Sequence, residues 1–326
     1  MATQGVRGVS RVLQKLEKSV IDGKFYEAHQ MYRTLYFRYM GQKKYKELKD
    51  MLYNGAVLFL EREQQLSGSD LGILLIEVLE QSEDSNYELW APKLTNIFRQ
   101  INISTPERDT FLAHAVRWSS KGSSHGHPQL HRSVALVYWA EKNYSQARHH
   151  FIYSQDGKSC AKLLIEFHRS RGFKEEADLF IAQTVFQYLC LKNKSTANQT
   201  FTSYTEHHPR IQGSGPPYLF PLLNFIWFLL QAIETKSTIH TFLLLIGKYE
   251  PSLKRDPGYI QYLDKIGQIF FGIKPPQQQT QNNSFFGHLF ENLISGLDED
   301  SDEEAPQAST SGTSTNKTMV ENDNLD

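Results

Sequence analysis

Three short turns recur between helix-like stretches of this chain: Gly23-Lys24-Phe25-Tyr26-Glu27-Ala28, Lys142-Asn143-Tyr144-Ser145-Gln146-Ala147 and Arg171-Gly172-Phe173-Lys174-Glu175-Glu176-Ala177. A weaker relative stands at Gly41-Gln42-Lys43-Lys44-Tyr45-Lys46-Glu47-Leu48. In such a corner the glycine ends one helix in the left-handed region, where the missing Cβ removes the steric penalty. The aromatic ring is expected to wedge between the two helix axes, and the alanine five positions after the glycine lets the second helix come close. The copies are unevenly spaced, so the pattern predicts a divergent stack of helical hairpins and not a regular array.

The corner resembles the inter-helix turn of a tetratricopeptide repeat, and the fold class that follows is all-α, an α-solenoid of tetratricopeptide-like hairpins. Helical periodicity supports it. Leu13, Leu16 and Val20 share one face, as do Ala28, Met31, Tyr32, Leu35, Tyr36 and Tyr39, and then Leu48, Leu52, Ala56, Phe59 and Leu60. Ser67-Gly68-Ser69-Asp70 reads as a break and cap before a helix from Leu71 to Glu80, and Glu83-Asp84-Ser85-Asn86 as a second cap. Ser104-Thr105-Pro106-Glu107 is a further helix start. Helices are expected from Pro128 to Lys142, from the Tyr144 corner to Ser154, from Gly157 to Arg169 and from Lys174 to Leu191. Between Asn193 and Pro217 the pattern weakens. The strand-like propensity of Thr200 to Tyr204 leaves room there for one short β-hairpin in the C-terminal half, beside a helix and an exposed loop.

Residues 1–10 read as a flexible N-terminus and 11–273 as the solenoid, its N-terminal half 11–155 and its C-terminal half 156–273. Residues 274–284 make a linker, 285–297 a short amphipathic segment, and 298–326 a disordered acidic tail in which Ser301 is a candidate for acid-directed phosphorylation. Residues 285 to 326 hold ten Asp and Glu against one Lys, which leaves 34 Lys and Arg against 26 Asp and Glu in the body. A basic body suits an acidic protein partner. On charge alone it also admits a nucleic-acid-binding helical repeat as the alternative, but the cations are dispersed and no nucleic-acid-binding signature accompanies them, so no nucleic acid is expected.

The most apolar run, Tyr218 to Ile233, is shorter than a membrane span and is broken by Pro221, Asn224 and Gln231, so direct membrane insertion is not expected. A buried helix, or one whose surplus apolar face receives a partner, fits it better. Two cysteines, Cys160 and Cys190, exclude a disulfide framework, and the polar N-terminus lacks the apolar run of a signal peptide.

Chemistry is not in view. His125, His127 and His131 have ligand-like spacing without a Cys or acid pair to complete a metal site, and the adjacent His149-His150 and His207-His208 point about 100° apart on a helix. No phosphate loop, nucleophile elbow or zincin helix occurs. The expectation is no enzyme, no catalytic residue, no cofactor and no metal.

The stretch Gly23-Lys24-Phe25-Tyr26-Glu27-Ala28-His29-Gln30-Met31-Tyr32-Arg33-Thr34-Leu35-Tyr36-Phe37-Arg38-Tyr39, then Lys44-Tyr45 to Leu58 and Gly68-Ser69-Asp70-Leu71, resembles the Golgi-to-ER-traffic protein 4 family, its animal members in particular. Asp156-Gly157, Arg171-Gly172-Phe173, Asn224-Phe225 and the acidic end extend the likeness over most of residues 8 to 300. The resemblance implies a cytosolic, non-enzymatic scaffold in a complex that hands tail-anchored membrane proteins to a targeting ATPase and supports quality control of mislocalised proteins. It implies as partners a Bcl-2-associated athanogene scaffold protein, held back in the cytosol, and a ubiquitin-like protein, with the ATPase reached through the complex. Two surfaces of this chain match those roles. The basic residues Arg11, Lys15, Lys18, Arg33 and Arg38 make a candidate N-terminal partner face. Leu219, Phe220, Phe225, Trp227, Phe228, Phe242 and Tyr249 make a candidate C-terminal groove for a partner's helix or strand.

Overall fold

The computed structural model describes residue 12 and residues 14–122, 124–213 and 215–274. The chain divides into two units, Met1–Lys274 and Pro275–Asp326, and the linker from residue 275 on, the amphipathic segment, the acidic tail and Ser301 all lie outside the described residues.

The described part is helical: α1 over residues 14–21, α2 Phe25–Gly41, α3 Tyr45–Glu61, α4 Gln65–Gln81, α5 Tyr87–Gln100, α6 Pro106–Ser119, α7 Pro128–Ala140 and α8 Tyr144–Tyr153. Then follow α9 Gly157–Arg171, a 3-10 turn Lys174–Glu176, α10 Ala177–Cys190, α11 Lys194–His207, α12 Pro221–Glu234, α13 Ile239–Lys248, the single turn α14 Glu250–Leu253, and α15 Tyr259–Phe270. Helices pack chiefly on the next or on the next but one: α3 on α4 and α5, α5 on α7, α9 on α11, α10 on α11 and α12. That is the stacking of a two-layered solenoid, in which no single hairpin buries its own apolar face. The last helix, α15, folds back onto α10 and ends the stack.

The corners are more numerous than the sequence suggested. At seven places among the described residues a left-handed residue closes a helix, namely Gly23, Lys43, Glu63, Glu83, Lys142, Lys192 and Lys236. Each makes the same pair of backbone bonds, illustrated by Gly23 N to Val20 O at 3.1 Å and Lys24 N to Ser19 O at 2.8 Å. This is the Schellman arrangement, which satisfies the orphan carbonyls of a helix end. Ala28, Ala147 and Ala177 are buried, as the corner reading requires. Phe25 meets Phe59 edge-on at 6.1 Å, and Tyr144 stacks on Phe167 at 5.1 Å.

Three expectations are corrected. The corner at Gly172 is not left-handed: its φ is −93°, and Phe173 is 73% exposed instead of wedged. Glycine is needed there for closeness, since a Cβ would stand 2.7 Å from His168 Cδ2 and 2.8 Å from Phe180 Cε2. Ser67 to Asp70 do not break a helix but lie inside α4, where Gly68 lets Leu60 approach to 2.6 Å of the position of a Cβ. The short β-hairpin is absent among the described residues, because Thr200 to Tyr204 belong to α11. Ala197, Phe201 and Tyr204 recur there at helical spacing and are buried, and burial outweighs the small intrinsic β-preference of threonine.

Candidate partner-binding surfaces

Lys15 and Lys18 lie three residues apart on α1 and are exposed on one side of it. Arg33 is otherwise engaged. Its Nη1 donates to both carboxylate oxygens of Asp70, at 2.9 and 3.1 Å, and His29 Nε2 meets the same carboxylate at 2.8 Å. Burial pushes the Asp70 carboxyl up, but the His29 hydrogen bond and the Arg33 charge outweigh it and hold the group below its ordinary value. Arg38 stands five residues further along α2, roughly 140° around the axis from Arg33, half-buried in the last turn. Arg11 lies outside the described residues. The expected cations therefore divide: Lys15 and Lys18 form an outward pair, while Arg33 is a strut between α2 and α4.

The C-terminal set divides in the same way. Phe225 and Phe242 are fully buried, so in this conformation they are core and not groove. Phe225 packs against Phe186 at 6.1 Å and Tyr249 at 5.8 Å, and Phe242 stacks face to face on Phe271 at 4.3 Å. Leu219 is 77% and Phe228 40% exposed, with Phe220, Trp227 and Tyr249 half-buried, and Trp227 meets Phe228 edge-on at 4.9 Å. The start of α12 is fixed by a reciprocal pair, Tyr218 N to Asn224 Oδ1 at 2.7 Å and Asn224 Nδ2 to Tyr218 O at 2.8 Å. Leu244 on α13 is also exposed, and so are Ile21, Tyr26 and Phe37 near the N-terminus. Sequence reading missed these four; for Phe37 the signal was its phase, out of step with the buried Tyr32, Leu35, Tyr36 and Tyr39 of its helix.

The histidines form pairs instead of a ligand set. His127 caps α7 by accepting from Gln129 N, and stacks on Tyr87 at 4.1 Å. His131, on α7, is buried with Nε2 against the carbonyl of His125 at 2.7 Å and Nδ1 against His150 Nδ1 at 2.9 Å. A carbonyl only accepts, so His131 is protonated on Nε2, and its bare Nδ1 receives the proton of His150. A second directed chain runs from Arg210 N to His208 Nδ1, from His208 Nε2 to His168 Nδ1, and from His168 Nε2 to the carbonyl of Phe173, at 3.2, 3.0 and 2.8 Å. Burial, reinforced by the neighbouring histidines, lowers His150 to about 3 and His208 to about 4. Among the described residues no group of three or more His, Cys, Asp or Glu is placed to hold a metal ion.

Burial pushes the Cys160 thiol up to about 12 and Cys190 to about 11, which suppresses the thiolate that nucleophilic chemistry requires. His168 is committed to its own chain and does not serve Cys160. Among the described residues no helix is long and apolar enough to cross a membrane.

Known proteins resemble this chain over most of its length. The family model for Golgi to ER traffic protein 4 matches residues 42–294. A Golgi to ER traffic protein 4 homolog of Oryzias latipes is 50% identical over 306 residues, 93% of this chain and 94% of that protein. The homolog of Homo sapiens is 48% identical over 301 residues, 92% and 91% of the two chains. Among solved structures, the crystal structure of C. therm. Get4 superposes with a TM-score of 0.74 at 24% identity, covering 92% of this chain and all of that one, a likeness of fold.

Proposed function

This chain belongs to the Golgi to ER traffic protein 4 family, and on that footing we propose that it is a non-enzymatic scaffold in a cytosolic complex that hands tail-anchored membrane proteins to a targeting ATPase. In this reading it binds a Bcl-2-associated athanogene scaffold protein and a ubiquitin-like protein through its C-terminal helices, keeps the scaffold protein in the cytosol, and supports the removal of mislocalised proteins. The ATPase is reached through the complex, on the side of the N-terminal helices. The observation that carries the reading is the apolar surface left by exposed Leu219 and Phe228 and half-buried Trp227, the last two meeting edge-on at 4.9 Å, beside an α12 whose other face is packed into the core through Phe225. Exposed aromatics on a packed base make anchor points for a partner, because little side-chain entropy remains to be lost on binding. Lys15 and Lys18 support the second contact, where exposed charge accelerates encounter more than it deepens affinity.

The test pairs W227A/F228A with K15E/K18E in the full-length protein. The aromatic variant is expected to lose the scaffold protein and the ubiquitin-like protein at least about tenfold while keeping the ATPase contact. The charge variant is expected to slow association with the ATPase at low salt and to lose that difference as salt rises. Unchanged binding of all partners by both variants, or hydrolytic turnover that follows the purified monomer, overturns the assignment.

A further inference from the structure

A groove runs from α6 across α8 to α10, apart from both surfaces described above. Its two stretches, about 870 and 500 Å³, share Gln146 and His149. It exists because the even-numbered layer loosens: α4 packs firmly on α6, whereas α8 touches α10 only lightly. Arg148 stands in its wall. Its Nη1 donates to the neutral amide oxygen of Gln183 at 2.6 Å, and among the described residues it has no carboxylate partner. Arg33 and Arg108, also drawn into the body, are treated differently, for they face Asp70 and Glu141. A half-buried guanidinium without a counter-ion carries a desolvation penalty that a carboxylate brought by a ligand relieves.

The surroundings of Arg148 say what kind of ligand. Ser145, Gln146, Tyr153 and Gln187 line the same stretch with groups that donate and accept hydrogen bonds, which suits the alternating N–H and C=O of an extended backbone. Gln187 is already oriented, its Nε2 donating to the Tyr262 hydroxyl at 3.0 Å. Charge is sparse. His149 adjoins Arg148, Arg108 and Arg117 are bound to Glu141 and Glu80, and Asp109 adds a negative charge toward α6. A nucleic-acid strand needs a row of cations, and the groove has none. The run Asp298 to Glu304 of this chain, with six acids in seven residues, brings more negative charge than one guanidinium can balance beside Asp109.

We propose that this groove binds an extended segment of a partner polypeptide, hydrogen-bonded along its backbone and anchored by one Asp or Glu side chain on Arg148. The proposal is independent of the identity of the partners named above.

Selection of random dodecapeptides displayed on phage against the full-length protein supplies the probe, and fluorescence anisotropy of the selected peptide measures it. Expected is a consensus with one acidic position, binding to R148Q weakened at least about tenfold, and R148K intermediate because it keeps charge without the planar fork. Replacing the peptide's acid by its amide is expected to weaken binding to the wild type by a similar factor and to R148Q hardly at all, the signature of a direct pair. Circular dichroism of both variants separates lost binding from lost fold. The proposal falls if no peptide is selected, if the consensus lacks an acid, or if R148Q binds as the wild type does. It also falls if the free 298–304 peptide displaces the probe at equal concentration, which assigns the groove to the chain's own tail.

Discussion

The first four helices and the stack from α7 to α11 solve the same packing problem by different means. In the first region the left-handed corner residues Gly23, Lys43, Glu63 and Glu83 follow one another at twenty-residue intervals, and the helices α2, α3 and α4 are all 17 residues long. Repetition of the turn alone sets their spacing. Among its polar ties, Asp70 to Arg33 and His29 lies on the half-exposed rim, and Lys49 to Asp84 joins α3 to the corner after α4. In the second region the corner is lost at Gly172, helix lengths vary from 10 to 15 residues, and the layers are pinned by buried polar contacts. These are the two histidine chains, Tyr188 to the carbonyl of Phe151, Tyr204 to the carbonyl of Ala177, and Asp178 to Arg255. A regular repeat positions its helices through the backbone; an irregular one specifies each contact with a side chain, and is correspondingly vulnerable where those side chains titrate or lose a partner.

Acid breaks the comparison most severely. The unfolded chain protonates its histidines near 6.5, while folded His150 and His208 stay neutral down to about 3 and about 4. Their contribution is therefore complete above 6.5 and falls as the pH drops through that window, by on the order of 3 kcal/mol at pH 4 for the His131–His150 layer. Asp70 is held below 3.8, so its contribution is lost only below that value. Hydrogen exchange followed from neutral pH to pH 4 should show α7 to α11 losing protection first and α2 to α4 later; parallel loss in both regions would remove the distinction.

Next in size is R255A. It leaves the Asp178 carboxylate, fully buried and already with one oxygen unpartnered, without its cation, at a cost of about 3 kcal/mol. Thermal unfolding should move down by roughly 8 °C. In the regular region the sensitive point is close backbone approach. The G55A variant places a methyl 2.6 Å from Tyr32 Cε1 and should cost about 2 kcal/mol in urea titration, whereas G41A, with nothing within 4 Å of the new atom, should be near neutral. The smallest effects belong to the corners. By the same titration G23A should lose about 1 kcal/mol, because its φ is 72°, and K43G should gain about 0.5 kcal/mol by relieving lysine at φ 55°.

Local chemistry explains what could be read in advance and what could not. Pro106 at a helix start, Asn86 as a cap, and the buried alanines of the corners are decided by the residues beside them, and they stand where expected. The twenty-residue beat escaped notice because lysine and glutamate occupy three of its four left-handed sites, which intrinsic preference assigns to glycine. Gly68 and Ser69 have the composition of a break, yet contact with Leu60 and Ala56 outweighs a helix penalty for glycine of about 1 kcal/mol. Of the candidate surface residues, Phe225 and Phe242 went into the core, Arg33 into a strut, and Arg148 emerged without having been singled out.

What the sequence determined by itself is the class of structure and the relative phase of residues on each helix, since a period of about 3.6 residues follows from the backbone alone. What only the tertiary structure decided is which phase faces outward and which charge is left unmatched. Those outcomes depend on neighbours that arrive from far along the chain, Asp70 reaching Arg33 across 37 positions and Arg255 reaching Asp178 across 77. No window of local sequence contains both members of such a pair, so the exposed surfaces are set by the stacking and not by the helices themselves.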